Sequence, residues 1–399
     1  MYAREIYGLM MAGAILLIAG CSADDVVKET TSEEAIAISF SCNYDDQEEH
    51  PTRAGHQGVM NTEDLYATGF GVMASTTAGT DPEDNKPDLM YNQKVEFSFV
   101  GDMADPLKGY WSYSPLKYWP TDLTHCYISA YAPYVEQPIA NPGTTTGIYG
   151  ISANNVPPYV DYRRCDKPSE VVDLLWYYEK PTAIPAKTAQ KAAGILDMKM
   201  RHALARLEIK VALAAAPASG TKVLIEKITL TGQMAKTGRL HLYEQTTEGS
   251  GNDIKYYPVW SDQTYDLDHS IKIKNKDNDS ESYGIIDSQV RYIEGMPYSW
   301  QPAGLKVYNP SAPEGTDDGM RNALSTGDRT GYVYLIPQDV QNLTVSVKYH
   351  QMTSGNDKKT TVTISPIRIP TPTVAVPNPK FKGNTTYTLK LTLKKIVDP

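Results

Sequence analysis

The feature that most constrains this chain is a two-residue alternation of apolar and polar side chains in short segments. Near the C-terminus, Leu389, Leu391 and Leu393 alternate with threonine and lysine. Because successive side chains of a β-strand point to opposite faces of a sheet, this spacing predicts a strand with one buried face. The same alternation recurs at residues 36–42, 126–132, 207–213 and 343–349. The pattern predicts an all-β protein.

Composition agrees with many short strands joined by turns. The chain has 28 tyrosines against 5 phenylalanines and 5 tryptophans, with 27 prolines and 28 glycines between the apolar runs. A tyrosine ring can be buried while its hydroxyl stays hydrated, which suits strands at the edge or surface of a sandwich. A length of 399 residues is too great for most single cores, and two domains are the better expectation.

The first 20 residues are typical of a bacterial lipoprotein signal peptide. Arg4 precedes an apolar run that ends in small residues just before Cys21. The run of about 12 residues is shorter than the ~18 that a membrane-spanning helix needs. The alternative is an N-terminal membrane helix that is never cut, with Cys21 an ordinary thiol. We interpret residues 1–20 as the signal peptide, Cys21 as the acylated first residue, and the acidic segment 21–35 as a tether.

The rest of the chain divides into two β-rich halves. Residues 36–213 are predicted to form an N-terminal β-sandwich, with a first strand at 36–43 and an exposed loop at 44–55. Small residues with a proline and a glycine at 214–220 predict a linker, and residues 221–399 form the second sandwich. The similar style of the halves, roughly 180 residues each, suggests duplication of one domain type.

Local patterns predict several further elements. In the first half we expect a strand over residues 65–74 and a long loop over 136–168, where proline, glycine and asparagine are frequent. The segment that starts at Met198 could begin as a helical turn and finish as a strand. In the second half, candidate short strands lie at residues 256–260, 270–274 and 285–293.

Charge and motif content exclude several function classes. A formal net charge of −9 disfavours nucleic acids and anionic membrane surfaces as partners. Besides Cys21, the cysteines are Cys42, Cys126 and Cys165, which allow at most one disulfide and form no CxxC pair. The sequence has no Gly-X-Ser-X-Gly elbow, His-Glu-X-X-His motif or P-loop, so we predict no catalytic residues, metal or cofactor.

Two acidic stretches and four aromatic residues allow other ligands. Asp277–Glu281 offers oxygen ligands for calcium but lacks the glycine and distant glutamate of an EF-hand, so we interpret it, like Asp81–Asp88, as a solvated loop. The pairs Trp111/Tyr113 and Tyr118/Trp119 could form a platform for sugar rings, although core or edge packing is the commoner role.

Several segments, in this order, resemble the fimbrillin family, the type V pilins and lipoprotein relatives of Bacteroidetes. The matching segments are the lipobox at Cys21 with Asp24-Asp25, Ile36–Cys42, Thr52-Arg53-Ala54-Gly55, Phe70-Gly71-Val72, Tyr118-Trp119-Pro120, Ala130–Pro133, Asp173–Tyr177, Arg201–Leu207, Leu335–Gln338 and Tyr387-Thr388-Leu389.

The resemblance implies two tandem transthyretin-like, Greek-key β-sandwich domains and export to the outer membrane as a lipoprotein. In such pilins a protease cuts after an arginine beyond the first strand, here between Arg53 and Ala54. The first strand then leaves, and a strand of another pilus subunit fills the groove. The displaced strand here would carry Ile36, Ile38, Phe40 and Cys42. His202 matches a family position whose role is structural.

The family comparison leaves three functional readings. The chain ends shortly after Leu393, whereas stalk pilins of the family usually carry an added C-terminal donor segment. The first interpretation is therefore a tip or accessory subunit of a surface fimbrium. Such a subunit would act in adhesion to a host or bacterial surface ligand. If Arg53 is never cut, the protein is instead a pilus anchor held to the membrane only by its N-terminal lipid. The alternative is a monomeric surface lipoprotein that binds glycans.

Overall fold

The computed structural model of the chain describes residues 36–44, 60, 62–76, 86–100, 109–120, 126–165, 171–178, 194–217, 219–266, 270–274, 306–313, 316–322, 332–339, 343–353, 356–364 and 380–393. All of them belong to one compact unit, Ala35–Pro399. Within these ranges no helix is long and apolar enough to cross a membrane.

The described residues up to Leu213 form ten strands and one α-helix, α1 (Thr62–Thr68). The strands are β1 (Ser39–Tyr44), β2 (Phe70–Ser75), β3 (Met90–Phe99), β4 (Gly109–Ser112), β5 (Tyr127–Ala132), β6 (Gly147–Ile151), β7 (Tyr159–Arg163), β8 (Leu175–Tyr178), β9 (Ile195–His202) and β10 (Ala205–Leu213).

The described residues after Leu213 form eleven more strands and a 3-10 turn at Gly251–Asp253. The strands are β11 (Thr221–Thr231), β12 (Met234–Glu248), β13 (Lys255–Asp266), β14 (Ser270–Lys274), β15 (Arg321–Asn322), β16 (Val333–Leu335), β17 (Gln338–Asp339), β18 (Thr344–Thr353), β19 (Asn356–Ile364), β20 (Lys380–Phe381) and β21 (Thr385–Leu393).

The first sheet has seven strands in the order β1-β9-β8-β5-β2-β3-β4. Strand β1 runs parallel to β9 at one end of this order, and the other neighbours are antiparallel. Strand β2 is buried on both faces: Phe70 and Val72 face one core, while Met73 faces another. A sheet covered on both sides explains why β2, β5 and β8 are apolar at nearly every position.

A second core lies in a sandwich of two four-stranded sheets. One contains β10 at its centre, paired with β15, β16 and, in parallel, β21; the other has the order β14-β11-β18-β19. The leucines of the predicted alternation in β21, Leu389, Leu391 and Leu393, are buried in this core. The all-β sandwich prediction is therefore confirmed.

A third core joins the first sheet to a sheet of order β13-β12-β7-β6. Tyr131 and Trp176 of the first sheet share it with Tyr162 of β7 and Leu240 of β12. Strand β10, on the N-terminal side of the predicted linker, packs in the second core. The division into domains at 214–220 stays a prediction.

Three local predictions are wrong. Residues 65–68, expected in a strand, belong to α1, because acidic residues in the first turn and the buried Leu65 favour a helix that ends at Gly69. The predicted loop at 136–168 contains β6 and β7, which pair with each other, and the pairing of β7 with the distant β12 has no local signal. The segment from Met198 has no helical turn, because β9 alternates buried with exposed or half-buried residues through His202, whereas its predicted strand end is confirmed as β10.

Other predictions are confirmed or untested. Strands at 256–260 and 270–274 form parts of β13 and β14. The candidate strand at 285–293, the acidic segment Asp277–Glu281 and residues 81–85 lie outside the described residues. In the remaining part of Asp81–Asp88, the Asp88 carboxylate accepts hydrogen bonds from the amide and hydroxyl of Thr76.

Candidate functional site

The predicted first strand is the part of the candidate site that the structure describes. Ile38, Phe40 and Cys42 are 1%, 6% and 3% exposed, and Ile36 is partly buried against the same core. Regular pairing starts at Ser39, slightly later than predicted. The lipidation site Cys21 and the candidate cleavage pair Arg53 and Ala54 lie outside the described residues, so both assignments stay predictions.

Strand β1 lies in a groove between β9 and the segment 117–119, which we call the β1 groove. On one side β1 pairs in parallel with β9, and the Ser39 amide donates to the Gly194 carbonyl at 2.7 Å. On the other side the Ile38 amide donates to Lys117, and the Trp119 amide donates to Ile36, both at 2.9 Å. Backbone groups on both walls thus hold the start of the strand.

Aromatic side chains form the floor and one wall of the β1 groove. The Phe40 ring lies 5.9 Å from the ring of Phe70 and 5.5 Å from that of Tyr113. The Tyr113 hydroxyl donates to the Ile38 carbonyl at 2.8 Å. Trp119 is 2% exposed in the same core. Sugar rings cannot stack on a buried indole, so the platform reading fails at Trp119 and the packing reading is confirmed.

Cys42 and Cys126 lie in the first core, and Cys165 is also buried. Cys42, Cys126 and Cys165 form no disulfide with one another. Burial raises the pKa of the Cys42 thiol well above its usual range and that of Cys126 to about 12, with smaller contributions from nearby aspartates. A thiol that stays protonated is a poor nucleophile, so these side chains act as small apolar groups in the core.

A buried carboxylate holds the chain just beyond the predicted cleavage loop. Asp173 Oδ2 accepts a hydrogen bond from the Met60 amide at 3.1 Å and lies 2.8 Å from Nδ1 of His202, while Oδ1 accepts from the Leu174 amide at 2.8 Å. Both side chains of the Asp173–His202 pair are 1% exposed. The pair therefore joins Met60 to the segments around β8 and β9.

The ionisation of Asp173 follows from its partners. Burial alone would raise its pKa, but the electrostatic attraction and hydrogen bond of His202, the Met60 amide and Arg206 outweigh burial and lower it. An ionised carboxylate can only accept, so Nδ1 of His202 carries the hydrogen in this contact. The structural role expected for His202 is thus accounted for. The sequence places Asp173 and His202 in two separate motifs and has no signal that pairs them.

Apart from β1, which precedes the matched range, this arrangement lies within a match to a known family. The family model described as "Fimbrillin-like" matches residues 52–399. The chain belongs to the fimbrillin-like family.

Two relatives of this fimbrillin-like chain extend the comparison. It is 24% identical to the fimbrium subunit Fim1C of Phocaeicola vulgatus over 98% of this chain and 93% of that protein. A fimbrial protein from Bacteroides vulgatus, solved as a crystal structure, has a TM-score of 0.53 and 20% identity, over 90% of this chain and 95% of that one. At this identity the structural match shows a shared fold.

Proposed function

We propose that this fimbrillin-like protein is the precursor of a cell-surface fimbrial subunit. In this proposal the chain is acylated at Cys21, reaches the outer membrane as a lipoprotein, and is cut between Arg53 and Ala54. Strand β1 then leaves the β1 groove, and a strand of another subunit replaces it. The observation that carries the proposal is the position of β1: it is the first described strand of the chain and lies at one end of the sheet order.

The energetics favour replacement of β1 over an empty groove. Burying one large apolar side chain is worth about 1.5–3 kcal/mol. Ile38 and Phe40 together with the smaller Cys42 therefore contribute on the order of 4–7 kcal/mol. Loss of that amount approaches the ~5–15 kcal/mol by which a whole domain is stable. An incoming strand with the same alternation would restore both this burial and the backbone hydrogen bonds of the groove walls.

The Asp173–His202 pair supports cleavage in the preceding loop. Because Met60 is held by Asp173 and is itself 6% exposed, a cut after Arg53 would release β1 while the chain from Met60 onward stays fixed. Helix α1 follows two residues later and places Leu65 in the first core. The new N-terminal segment would thus be short, and the rest of the first sheet would keep its order.

We propose a tip or accessory position, in which β21 does not serve as a donor strand. It pairs with β10 from Thr385 to Leu393, and its leucines are buried in the second core. A strand in this position cannot act as a donor for another subunit without opening that core. The proposed role is therefore adhesion at a host or bacterial surface, with other pilus subunits as partners through the β1 groove.

Mapping the mature N-terminus tests the cleavage step. Mass spectrometry of fimbriae sheared from cells is expected to find chains that begin at Ala54, and Arg53→Ala is expected to abolish them. Thr52→Ala, which changes the same loop but keeps the arginine, serves as the matched control. If every fraction carries only lipidated Cys21, the cleaved subunit is refuted and the uncleaved anchor is supported.

A disulfide lock tests strand exchange itself. Ser39 and Ile195 are register partners on β1 and β9, and both side chains are exposed. Neighbouring strands are about 4.8 Å apart, within the ~4.4–6.8 Å range for disulfide-linked Cα atoms. The oxidised Ser39→Cys/Ile195→Cys variant should be cleaved but not enter fimbriae, and reduction should restore assembly. The single Ser39→Cys variant is the control. If the oxidised double variant enters fimbriae as well as the Ser39→Cys control does, strand exchange is contradicted.

A further inference from the structure

A cleft lies far along the chain from β1, and we call it the β13 cleft. Its volume is about 710 Å³, and one wall is formed by β12 and β13. The short pair β17 and β20 forms the other wall. Small-molecule sites usually have volumes of about 300–1,000 Å³. The size of the cleft is therefore that of a site for a small ligand.

Hydrogen bonds hold the two walls of the β13 cleft in place. The Gln263 amide of β13 donates to the Pro337 carbonyl at 2.7 Å, which ties one wall to the other. The side chain of Gln338, which is 7% exposed, accepts from the Ala235 amide and donates to the Gln233 carbonyl at 2.9 Å. Both walls are therefore fixed by contacts with the body of the protein, and the cleft is largely formed in advance.

The lining combines aromatic rings with hydrogen-bonding groups. Tyr257, Trp260 and Tyr265 of β13 all line the cleft, together with the amide of Gln263. Tyr265 is 41% exposed, and its hydroxyl donates to the Gln263 side chain at 2.5 Å. Rings with polar groups beside them suit a ligand that has both an apolar face and hydroxyl groups.

The charges in the cleft are balanced and paired. Lys382 lies against Glu248, and its Nζ is 5.2 Å from the centre of the Tyr257 ring. Lys380 Nζ lies 3.9 Å from Asp339 Oδ1. The hydrogen bond and the positive charge of Lys382 lower the pKa of Glu248, so this carboxylate is ionised at neutral pH. Two carboxylates and two ammonium groups give the lining no formal net charge.

We propose that the β13 cleft binds a neutral oligosaccharide. A sugar ring has an apolar C–H face that can stack on the exposed Tyr265 ring and the half-buried Tyr257 ring, and hydroxyl groups that both donate and accept. Those hydroxyls can donate to the Glu248 carboxylate and accept from Lys382 and the Gln263 amide, while the exposed Lys380 lies outside these contacts. An anionic ligand gains little from paired lysines, and an apolar ligand would desolvate four charged groups without replacing their hydrogen bonds to water.

The proposal does not depend on cleavage or strand exchange. No residue that lines the β13 cleft belongs to β1, β9 or the segment 117–119. The cleft is thus present while β1 occupies its groove, and sugar binding can be tested on the intact chain. Failure of the strand-exchange tests would leave this test unaffected.

Titration calorimetry on the full chain in detergent tests the proposal. The probes are neutral hexasaccharides of glucose, mannose and N-acetylglucosamine, with sialyllactose as an anionic comparator. Tyr257→Ala and Tyr265→Ala are expected to weaken binding of a neutral probe by about 10-fold or more, because each removes a stacking surface. Tyr110→Ala, at a tyrosine that is 58% exposed on β4 outside the cleft, should leave binding unchanged.

Two further variants keep the result decisive. Tyr257→Phe retains the ring and should keep binding within about 3-fold, which separates stacking from damage to the fold. Lys380→Gln should change binding of a neutral sugar by less than about 3-fold, because the lysine is exposed and paired. Three outcomes would each overturn the proposal. They are no binding of the neutral sugars, a weakening of binding by Tyr110→Ala as large as that by the cleft variants, and tighter binding of sialyllactose that is lost in Lys380→Gln. Binding of a peptide with the sequence of β1, with no binding of the sugars, would also overturn the proposal.

Discussion

Replacing Asp173 by asparagine should destabilise the protein through its buried hydrogen bonds. The Asp173 carboxylate accepts from three donors, the amides of Met60 and Leu174 and Nδ1 of His202. Asparagine has a single oxygen, so its NH₂ group must face at least one of these donors. Each buried donor that loses its acceptor costs about 1–3 kcal/mol, and breaking a buried pair costs about 3–5 kcal/mol. We expect Asp173→Asn to lower the free energy of unfolding by about 2–5 kcal/mol.

The pH dependence of this effect has a definite sign. The folded-state pKa of Asp173 is lowered, so its stabilisation is present above the unfolded-state pKa of about 3.9 and is lost as the pH falls through the folded value. Asparagine does not titrate in this range. Denaturant unfolding at pH values from about 7 to 3 should therefore show a gap between wild type and variant that narrows below about pH 4.

A local measurement and a control separate this mechanism from general damage. Hydrogen exchange at the Met60 amide should accelerate in Asp173→Asn, because that amide loses its acceptor. Glu96→Gln removes an exposed carboxylate paired with Lys94 and should change stability by less than about 0.5 kcal/mol. An Asp173→Asn variant within about 1 kcal/mol of wild type, or a gap that does not narrow in acid, would refute the reasoning.

Three other substitutions test the packing of β1 and of the sheet beside it, each by denaturant unfolding. Phe40→Ala, at a 6% exposed ring, should cost the uncleaved precursor about 3–5 kcal/mol and leave a chain that begins at Ala54 unchanged. Trp119→Ala should cost about 3–5 kcal/mol, against less than about 0.5 kcal/mol for the neighbouring, 48% exposed Tyr118→Ala. Gly69→Ala should cost at least about 2 kcal/mol because its φ is +65° and a Cβ would lie 2.5 Å from the Val95 carbonyl oxygen, whereas Gly143→Ala has open space and should be neutral.

Strands that alternate along their own sequence could be predicted from that sequence. The buried set of β1, Ile38, Phe40 and Cys42, and the leucines of β21 follow from spacing alone, since a half-buried strand needs one apolar face. Prediction fails where the partner is distant. Strands β6 and β7 look like loop because β7 pairs with β12, which lies more than 70 residues away in the register Arg163 to Thr237, and among the described strands β6 pairs only with β7.

The candidate site divides in the same way. Sequence reasoning finds the strand that fills the groove but not the walls that hold it, because Lys117 and Gly194 contribute backbone groups with no side-chain signature. It finds His202 without its partner Asp173. It offers Trp111, Tyr113, Tyr118 and Trp119 as a sugar platform only as the less common role, and the fold buries Trp119. It gives no signal for Tyr257 and Tyr265 of the β13 cleft, which lie in a polar segment with weak periodicity.

The sequence by itself determined the all-β class, the family, and which side chains of the first strand face a core. These depend on local spacing and on short motifs, which a chain carries whatever its final pairing. Only the tertiary structure decided that β1 lies between β9 and the segment 117–119, that Asp173 fixes Met60, and that the walls of the β13 cleft meet. Each of these contacts joins residues far apart in sequence, and their proximity exists only once the sheets have formed.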